Sequence, residues 1–204
     1  MIYEMRTYDL KPGMTPEFEQ RYAAALPERT RISPLGAFWH TEIGPLNQVI
    51  AVWPYDDAGH RERARGEAAR GGNWPPKVQE LIEREEVWLL NAAPFMRPLA
   101  PARLGDVYEM RLYTVQVGKM QEVIRLWSER VPSRERLSPL VAAWYTDVGP
   151  LSIWIHVWPY KDLNERRNTR AEANKLDTWP PPTREFMVKQ ENKILVPAEF
   201  SPLR

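Results

Sequence analysis

Two short polar triplets carry the most chemistry in this chain. Glu4, Arg6 and Tyr8 stand at alternate positions, and Glu109, Arg111 and Tyr113 repeat them 105 residues later. An arginine offers a fork of donors to a carboxylate or carbonyl oxygen, and a tyrosine hydroxyl adds another. Each triplet therefore either binds an anionic or carbonyl-bearing ligand or satisfies itself as a Glu–Arg pair. Breaking such a pair, once buried, costs about 3–5 kcal/mol, which alone would hold both residues in both copies. His156 is the other candidate, and the only one for catalysis. Its imidazole titrates near neutrality, so it suits a general base or a haem ligand; a hydrogen-bonded core histidine is the alternative. Its counterpart 105 positions earlier is Ala51, so any chemistry there occurs once per chain. His40, opposite Tyr145 in the repeat, poses the same choice, and His60 is expected to be solvated.

What is missing narrows the chemistry. The chain has 204 residues and no Cys, which excludes disulfides, thiolate metal sites and Cys nucleophiles. No His and carboxylate residues stand at zinc or iron spacing, and no Gly-rich phosphate loop or G-x-S-x-G is present. Neither a metal nor a cofactor is expected. With 28 basic and 27 acidic residues the net charge is +1, so no basic footprint points to nucleic acid or an anionic membrane. No run approaches the length of a membrane span. The first residues resemble neither a signal peptide nor a transit peptide, so a cytoplasmic location is expected.

The candidates are placed by a duplication. Ser33-Pro34-Leu35, Gly44-Pro45-Leu46, Trp53-Pro54-Tyr55 and Trp74-Pro75-Pro76 all return 105 positions later without an insertion. That period is far longer than a solenoid unit of about 20–50 residues. It predicts two units, residues 1–97 and 107–204, joined by a linker over 98–106. In the first unit, Tyr3 to Leu10 alternates as a strand and stops at Lys11-Pro12-Gly13. Thr15 to about Glu28 predicts a helix, with Thr15 as N-cap, Pro16 at its first position, and an apolar stripe of Phe18, Tyr22 and Leu26. Val123, Trp127 and Val131 keep that stripe in the second unit. Leu35–Ile43 and Gln48–Trp53 predict a hairpin, and Asp57–Arg70 a charged helix broken by Gly71 to Pro76. Lys77–Glu86 reads as helical, with Val87–Leu90 as a last short strand or the end of that helix. Each unit thus has the ferredoxin-like order β-α-β-β-α-β. Its bare sheet face needs a partner, which the second unit supplies. The fold class is α+β, two such units packed sheet to sheet.

Strand periodicity then assigns faces. Tyr3, Met5 and Thr7 form the better helix-facing set. Glu4, Arg6 and Tyr8 are expected to point between the sheets. On the third strand Ile50 and Val52 go with the helices, which leaves Trp53, and in the twin Trp154, His156 and Trp158, in the inter-sheet space. An aromatic cavity with a few convergent polar groups suits a small ligand. On the second strand either Trp39 and Trp144 or His40 and Tyr145 face inward, because one residue of slip inverts the answer. Trp74-Pro75-Pro76 is expected to pack a loop over a barrel end, and Arg61 and Arg65 to pair with Glu62 or Glu67 or cap the barrel rim.

At these residues the chain resembles the NIPSNAP family. Its opening E-x-R-x-Y strand followed by Gly matches Glu4, Arg6, Tyr8 and Gly13, and again Glu109, Arg111, Tyr113 and Gly118. Its W-x-T-E-I-G-x-L-N segment matches Trp39, Thr41, Glu42, Ile43, Gly44, Leu46 and Asn47. The second half weakens this to Trp144, Thr146, Asp147, Val148, Gly149, Leu151 and Ser152. Trp53, Tyr55, Arg61 and Arg65 match a further motif, repeated as Trp158, Tyr160, Arg166 and Arg170. The resemblance implies a dimeric α/β-barrel fold, which the two tandem units would close here as an intrachain α/β barrel, and supplies no catalytic residues.

Two functions remain open. One is a small-molecule binder, or a cofactor-independent oxygenase- or isomerase-like enzyme, using an inter-sheet cavity lined by Glu4, Arg6, Tyr8, Trp53, Glu109, Arg111, Tyr113, Trp154, His156 and Trp158. The other is a non-catalytic assembly protein, with a filled barrel and exposed apolar patches, pairing as a homodimer of the two-unit chain.

Overall fold

The computed structural model describes residues 1–70 and 72–204; Gly71, in the expected helix-breaking run, lies outside them. The first half runs β1 (Ile2–Leu10), α1 (Thr15–Thr30), β2 (Ala37–Ile43), β3 (Gln48–Tyr55), α2 (Ala58–Ala68) and β4 (Ile82–Ala92). The second repeats it as β5 (Val107–Val115), α3 (Met120–Glu135), β6 (Ala142–Val148), β7 (Ile153–Tyr160), α4 (Leu163–Ala173) and β8 (Met187–Pro197). The eight strands close into one antiparallel barrel in the order β1-β3-β2-β8-β5-β7-β6-β4. The joints between halves are β2 with β8, where Thr41 faces Leu195, and β4 with β6, where Ala92 faces Trp144. Closure removes every free sheet edge.

Some local expectations shift. The stretch before β4 is not helical beyond one 3-10 turn, Gln79–Leu81, and the strand begins at Ile82. Glu83 to Glu86 favour a helix locally, but β4 pairs with β1 from Ile82 opposite Leu10 to Asn91 opposite Ile2. That pairing overrides propensity. In α1 the N-cap is Met14, Thr15 is the first helical residue, and the helix continues past Glu28 to Thr30. The extra residues bring Arg29 into the last turn. In α2, Asp57 is the N-cap, its side chain accepting from the His60 N–H at 2.7 Å.

The larger correction concerns the faces. Tyr3, Met5, Trp39, Ile50 and Val52 point into the barrel, where they meet Tyr108, Met110, Trp144, Ile155 and Val157 from the other half in one sealed core. Glu4, Arg6, Tyr8 and Trp53, with Glu109, Arg111, Tyr113, Trp154, His156 and Trp158, face the helices instead. The reason is electrostatic. The middle of the barrel is packed with aromatic and aliphatic side chains and offers no counter-charge, so it takes the face that needs none. The polar face goes where arginines of α2 and α4 can reach it. The open choice on β2 resolves the same way: Trp39 lies inside, whereas Phe38 packs on Tyr22 and His40 bonds Glu19 of α1 at 2.8 Å. Met96, Leu99 and Ala102 of the connecting segment pack against the same core. Among the described residues no helix is long and apolar enough to cross a membrane.

Because both halves supply this core, we expect one cooperative urea transition for the whole chain. Trp39→Ala should lower its stability by about 3–5 kcal/mol, the usual cost of removing a buried indole. Two separate transitions, by fluorescence and far-UV dichroism, would contradict a shared core.

Candidate functional site

Each half builds a site between its helices and the outer face of its sheet, starting from one buried carboxylate. Glu4 is 1% exposed and meets three guanidinium groups: Arg6 Nη1 at 3.3 Å, Arg65 Nη1 at 2.9 Å, and Arg61 Nε. Arg61 and Arg65 sit one turn apart on α2, so both reach down to the same strand position. Glu109 repeats the arrangement with Arg111 Nη1 at 2.9 Å, Arg166 Nη2 at 2.6 Å and Arg170 Nη1 at 3.4 Å. Burial pushes the Glu109 carboxyl up, but the Arg166 hydrogen bond and the charges of Arg170 and Arg111 outweigh it and hold it below its ordinary value. Arg6 Nε donates to the Tyr8 hydroxyl at 2.8 Å, and Arg111 Nε to that of Tyr113. Burial raises both phenols against the pull of these arginines. Each therefore stays protonated and keeps its own O–H to donate.

A second cation lies deeper. Arg29, on the last turn of α1, is 3% exposed and stacks over the Trp53 ring at 4.4 Å, with Trp74 at 5.9 Å. Its Nη2 donates to the Tyr55 hydroxyl at 2.7 Å. Arg134 does the same in the second half, over Trp158 at 4.3 Å and Trp179 at 6.0 Å, bonded to Tyr160 at 3.0 Å. In both arginines Nη1 has no hydrogen-bond partner.

These groups wall two cavities. The first, of about 450 Å³, gathers Glu4, Arg6, Tyr8 and Trp53 with Tyr22, Arg29, Tyr55, Arg65 and Trp74. The second, of about 280 Å³, gathers Arg111, Tyr113, His156 and Trp158 with Trp127, Arg134, Tyr160, Arg170 and Trp179. Trp127 stands where the first half has Tyr22, and His156 where it has Ala51; both fill space. Two expected residues stay off the walls. Glu109 lies behind Arg111, fully occupied by its arginines. Trp154 packs edge-on against Trp127 within the helix layer. Trp74 and Trp179 are cavity walls, not lids over a barrel end.

His156 is 3% exposed and its ring faces Trp127 at 4.5 Å and Tyr113 at 5.1 Å. Trp158 Nε1 donates to its Nδ1 at 2.8 Å, which puts the ring proton on Nε2, where no acceptor is present. Burial, then the charges of Arg111, Arg170 and Arg134, depress its pKa well below 6.5. In this arrangement the ring is a hydrogen-bond donor with its lone pair already engaged. No cluster of three or more His, Asp or Glu among the described residues could hold a metal ion.

Reading the triplets did not expose Arg29, Arg134 or the aromatic boxes around them. The signal was present: Arg29 and Arg134 are themselves 105 positions apart, as are Tyr55 and Tyr160. Helix periodicity alone hides them, because an arginine at the end of a charged helix reads as solvated.

A closed eight-stranded barrel made from two ferredoxin-like units, each with a helix-covered pocket, is a dimeric α/β barrel drawn within one chain. The NIPSNAP profile matches residues 3–97 and again 108–202, and the chain belongs to that family. Protein NipSnap homolog 3B of Mus musculus is 27% identical over 213 residues, covering 100% of this chain and 86% of that protein. Protein NipSnap homolog of Dictyostelium discoideum is 27% identical over 210 residues, covering 98% and 88%. A proposed monooxygenase from Lactobacillus acidophilus shares the fold at a TM-score of 0.70, covering 96% of this chain and 92% of that one at 10% identity.

The buried imidazole generates a pH prediction. Its folded-state pKa lies below the unfolded value, so the unfolded chain takes up a proton that the folded chain refuses. The stability of the neutral ring is fully present above about pH 6.5 and is lost on acidification, by up to about 1.4 kcal/mol per pH unit. His156→Ala, which installs the first half's residue, should be less stable than wild type near neutrality. That deficit, read by urea denaturation, should shrink toward about pH 5. A constant deficit would place the titration elsewhere.

Proposed function

We propose that this NIPSNAP protein binds a small organic ligand in the pocket between helices and sheet of its first half, with a smaller counterpart in the second. The observation that carries this is the 450 Å³ cavity in which Glu4, Arg6, Tyr8 and Trp53 converge with aromatic walls. The expected inter-sheet cavity cannot serve, since the barrel interior is filled by tryptophan and tyrosine. Pockets of about 300–1,000 Å³ with apolar walls and a few fixed polar groups suit small ligands. An oxygenase- or isomerase-like reaction finds support only in the likeness of fold, and fold does not carry chemistry. The groups present favour holding a ligand: donors are fixed and the one histidine has no free lone pair.

Ala69 lines the mouth of the first pocket and is exposed, so Ala69→Trp should block it without disturbing the core. Native mass spectrometry of the purified chain should show a small-molecule adduct that this variant lacks. An adduct equally retained by Ala69→Trp, or none on either protein, would count against the pocket.

The assembly reading has its own support. Leu46 and Leu151, at the tips of the β2–β3 and β6–β7 hairpins, are each 71% exposed, beside exposed Ile43 and Val148. Pairing of two chains through these tips predicts a dimer in sedimentation that Leu46→Lys with Leu151→Lys converts to monomer. A wild-type monomer would dismiss it.

A further inference from the structure

The polar atoms lining the two pockets share one property: in the first pocket Arg29 Nη1 has no partner and the Tyr22 hydroxyl, which the Trp53 indole can serve as donor, has no acceptor for its own proton; in the second Arg134 Nη1, His156 Nε2 and Trp127 Nε1 have no partner. Tyr22 is 1% exposed and burial raises its phenol well above 10, so it carries its proton. The neutral His156 ring carries its proton on Nε2. Every one of these atoms is thus a donor. The carboxylates beside them are paired: Glu4 and Glu109 each hold three arginines, and Glu85, on the exposed side of the first pocket, meets Arg6 Nη2 at 3.5 Å.

Stacking does not balance the buried charge. A desolvated cation–π contact contributes on the order of 2 kcal/mol, whereas burying an ion costs several kcal/mol unless an opposite charge meets it. Arg29 and Arg134 have a tyrosine and an indole each, and no carboxylate within salt-bridge distance among the described residues. The second pocket is lined by Arg111, Arg134, Arg170 and Arg184 without a single carboxylate. An anion that only accepts hydrogen bonds complements these donors.

We propose that the ligand is a small carboxylate with a flat apolar body. Its oxygens accept from Arg29 Nη1 and the Tyr22 hydroxyl in the first pocket, and from Arg134 Nη1 and His156 Nε2 in the second. The body lies against the indoles of Trp53 and Trp74, or of Trp158 and Trp179. The larger first cavity takes the larger acid. A neutral amide would bring N–H groups to a site whose free groups are already donors, so charge and hydrogen bonding both select against it. This inference rests on the ligand-binding reading above and adds the class of ligand.

The probes are phenylacetate and its neutral isostere phenylacetamide, titrated calorimetrically into the full chain. Phenylacetate should bind at least about tenfold more tightly than the amide, the worth of one hydrogen bond to a charged group. Arg29→Met should remove that preference at the first site and leave amide affinity within about twofold. Tyr22→Phe, which deletes one buried oxygen and keeps the ring, should weaken phenylacetate alone; it serves if Arg29→Met does not fold. Equal binding of acid and amide, blocked by Ala69→Trp, would overturn the anion class and leave the pocket standing. Binding of neither probe would overturn both readings. Phenylacetate binding unchanged in Arg29→Met and Tyr22→Phe would also overturn the assignment.

Discussion

The closure of two four-stranded sheets into one barrel governs everything else in this molecule. Every strand has two faces, and closure seals one of them from water. Tyr3, Met5, Trp39, Ile50, Val52 and their twins fill that space from opposite sides. Neither half has a complete core of its own, and neither leaves a free edge strand. With the apolar faces consumed inside, the alternate residues must lie outward, under the helices. Those residues mix the charged triplets with the aromatics Phe38, Trp53, Trp154 and Trp158.

The helices therefore do more than cover an apolar layer. Glu4 and Glu109 would be prohibitive beneath them if unpaired, and each receives three arginines from two elements. Arg6 and Arg111 come from the same strand as the carboxylate; the others come from α2 or α4. Two helices whose apolar content is small are thus tied to the sheet by charge. A buried network of this kind stabilises less than its Coulomb energy suggests, because desolvation opposes it. Its consequence is geometric: it fixes the guanidinium groups around an opening that apolar packing would have closed.

Much of this order was legible in the sequence. The 105-residue period and the ferredoxin-like order follow from turn residues and alternation, the barrel from the family resemblance, and the structure shows all three. The triplets Glu4-Arg6-Tyr8 and Glu109-Arg111-Tyr113 do share one face. What periodicity cannot say is which face is inside, because period two is unchanged by inversion. The rule that apolar faces meet helices fails here, since the barrel interior competes for the same face and is drier. The start of β4 was hidden by Glu83 to Glu86, whose local preference yields to pairing with β1. Arg29 was hidden because its environment comes from Trp53, Tyr55 and Trp74, distant in sequence.

The duplication also separates frame from variable wall. The carboxylate, its three arginines, the strand tyrosine and the arginine stacked on tryptophan occur in both halves with the same partners. The differences fall on the pocket walls: at the inner wall Ala51 against His156 and Tyr22 against Trp127, and elsewhere Gln79 against Arg184 and Glu85 against Gln190, which make the second pocket the more cationic. His156 also changes what Trp158 does, since the indole N–H now donates to the imidazole. The histidine that replaces an alanine thus supplies the acceptor for a tryptophan and a new donor at Nε2, while Trp127 takes away the hydroxyl that Tyr22 offers. One hydroxyl donor gives way to two N–H donors, His156 Nε2 and Trp127 Nε1, and the cavity shrinks. Copies freed from any shared task would have no reason to keep a costly buried cation in each. Keeping the cation while exchanging its companion donor is the pattern expected when two pockets take ligands of one charge and different size.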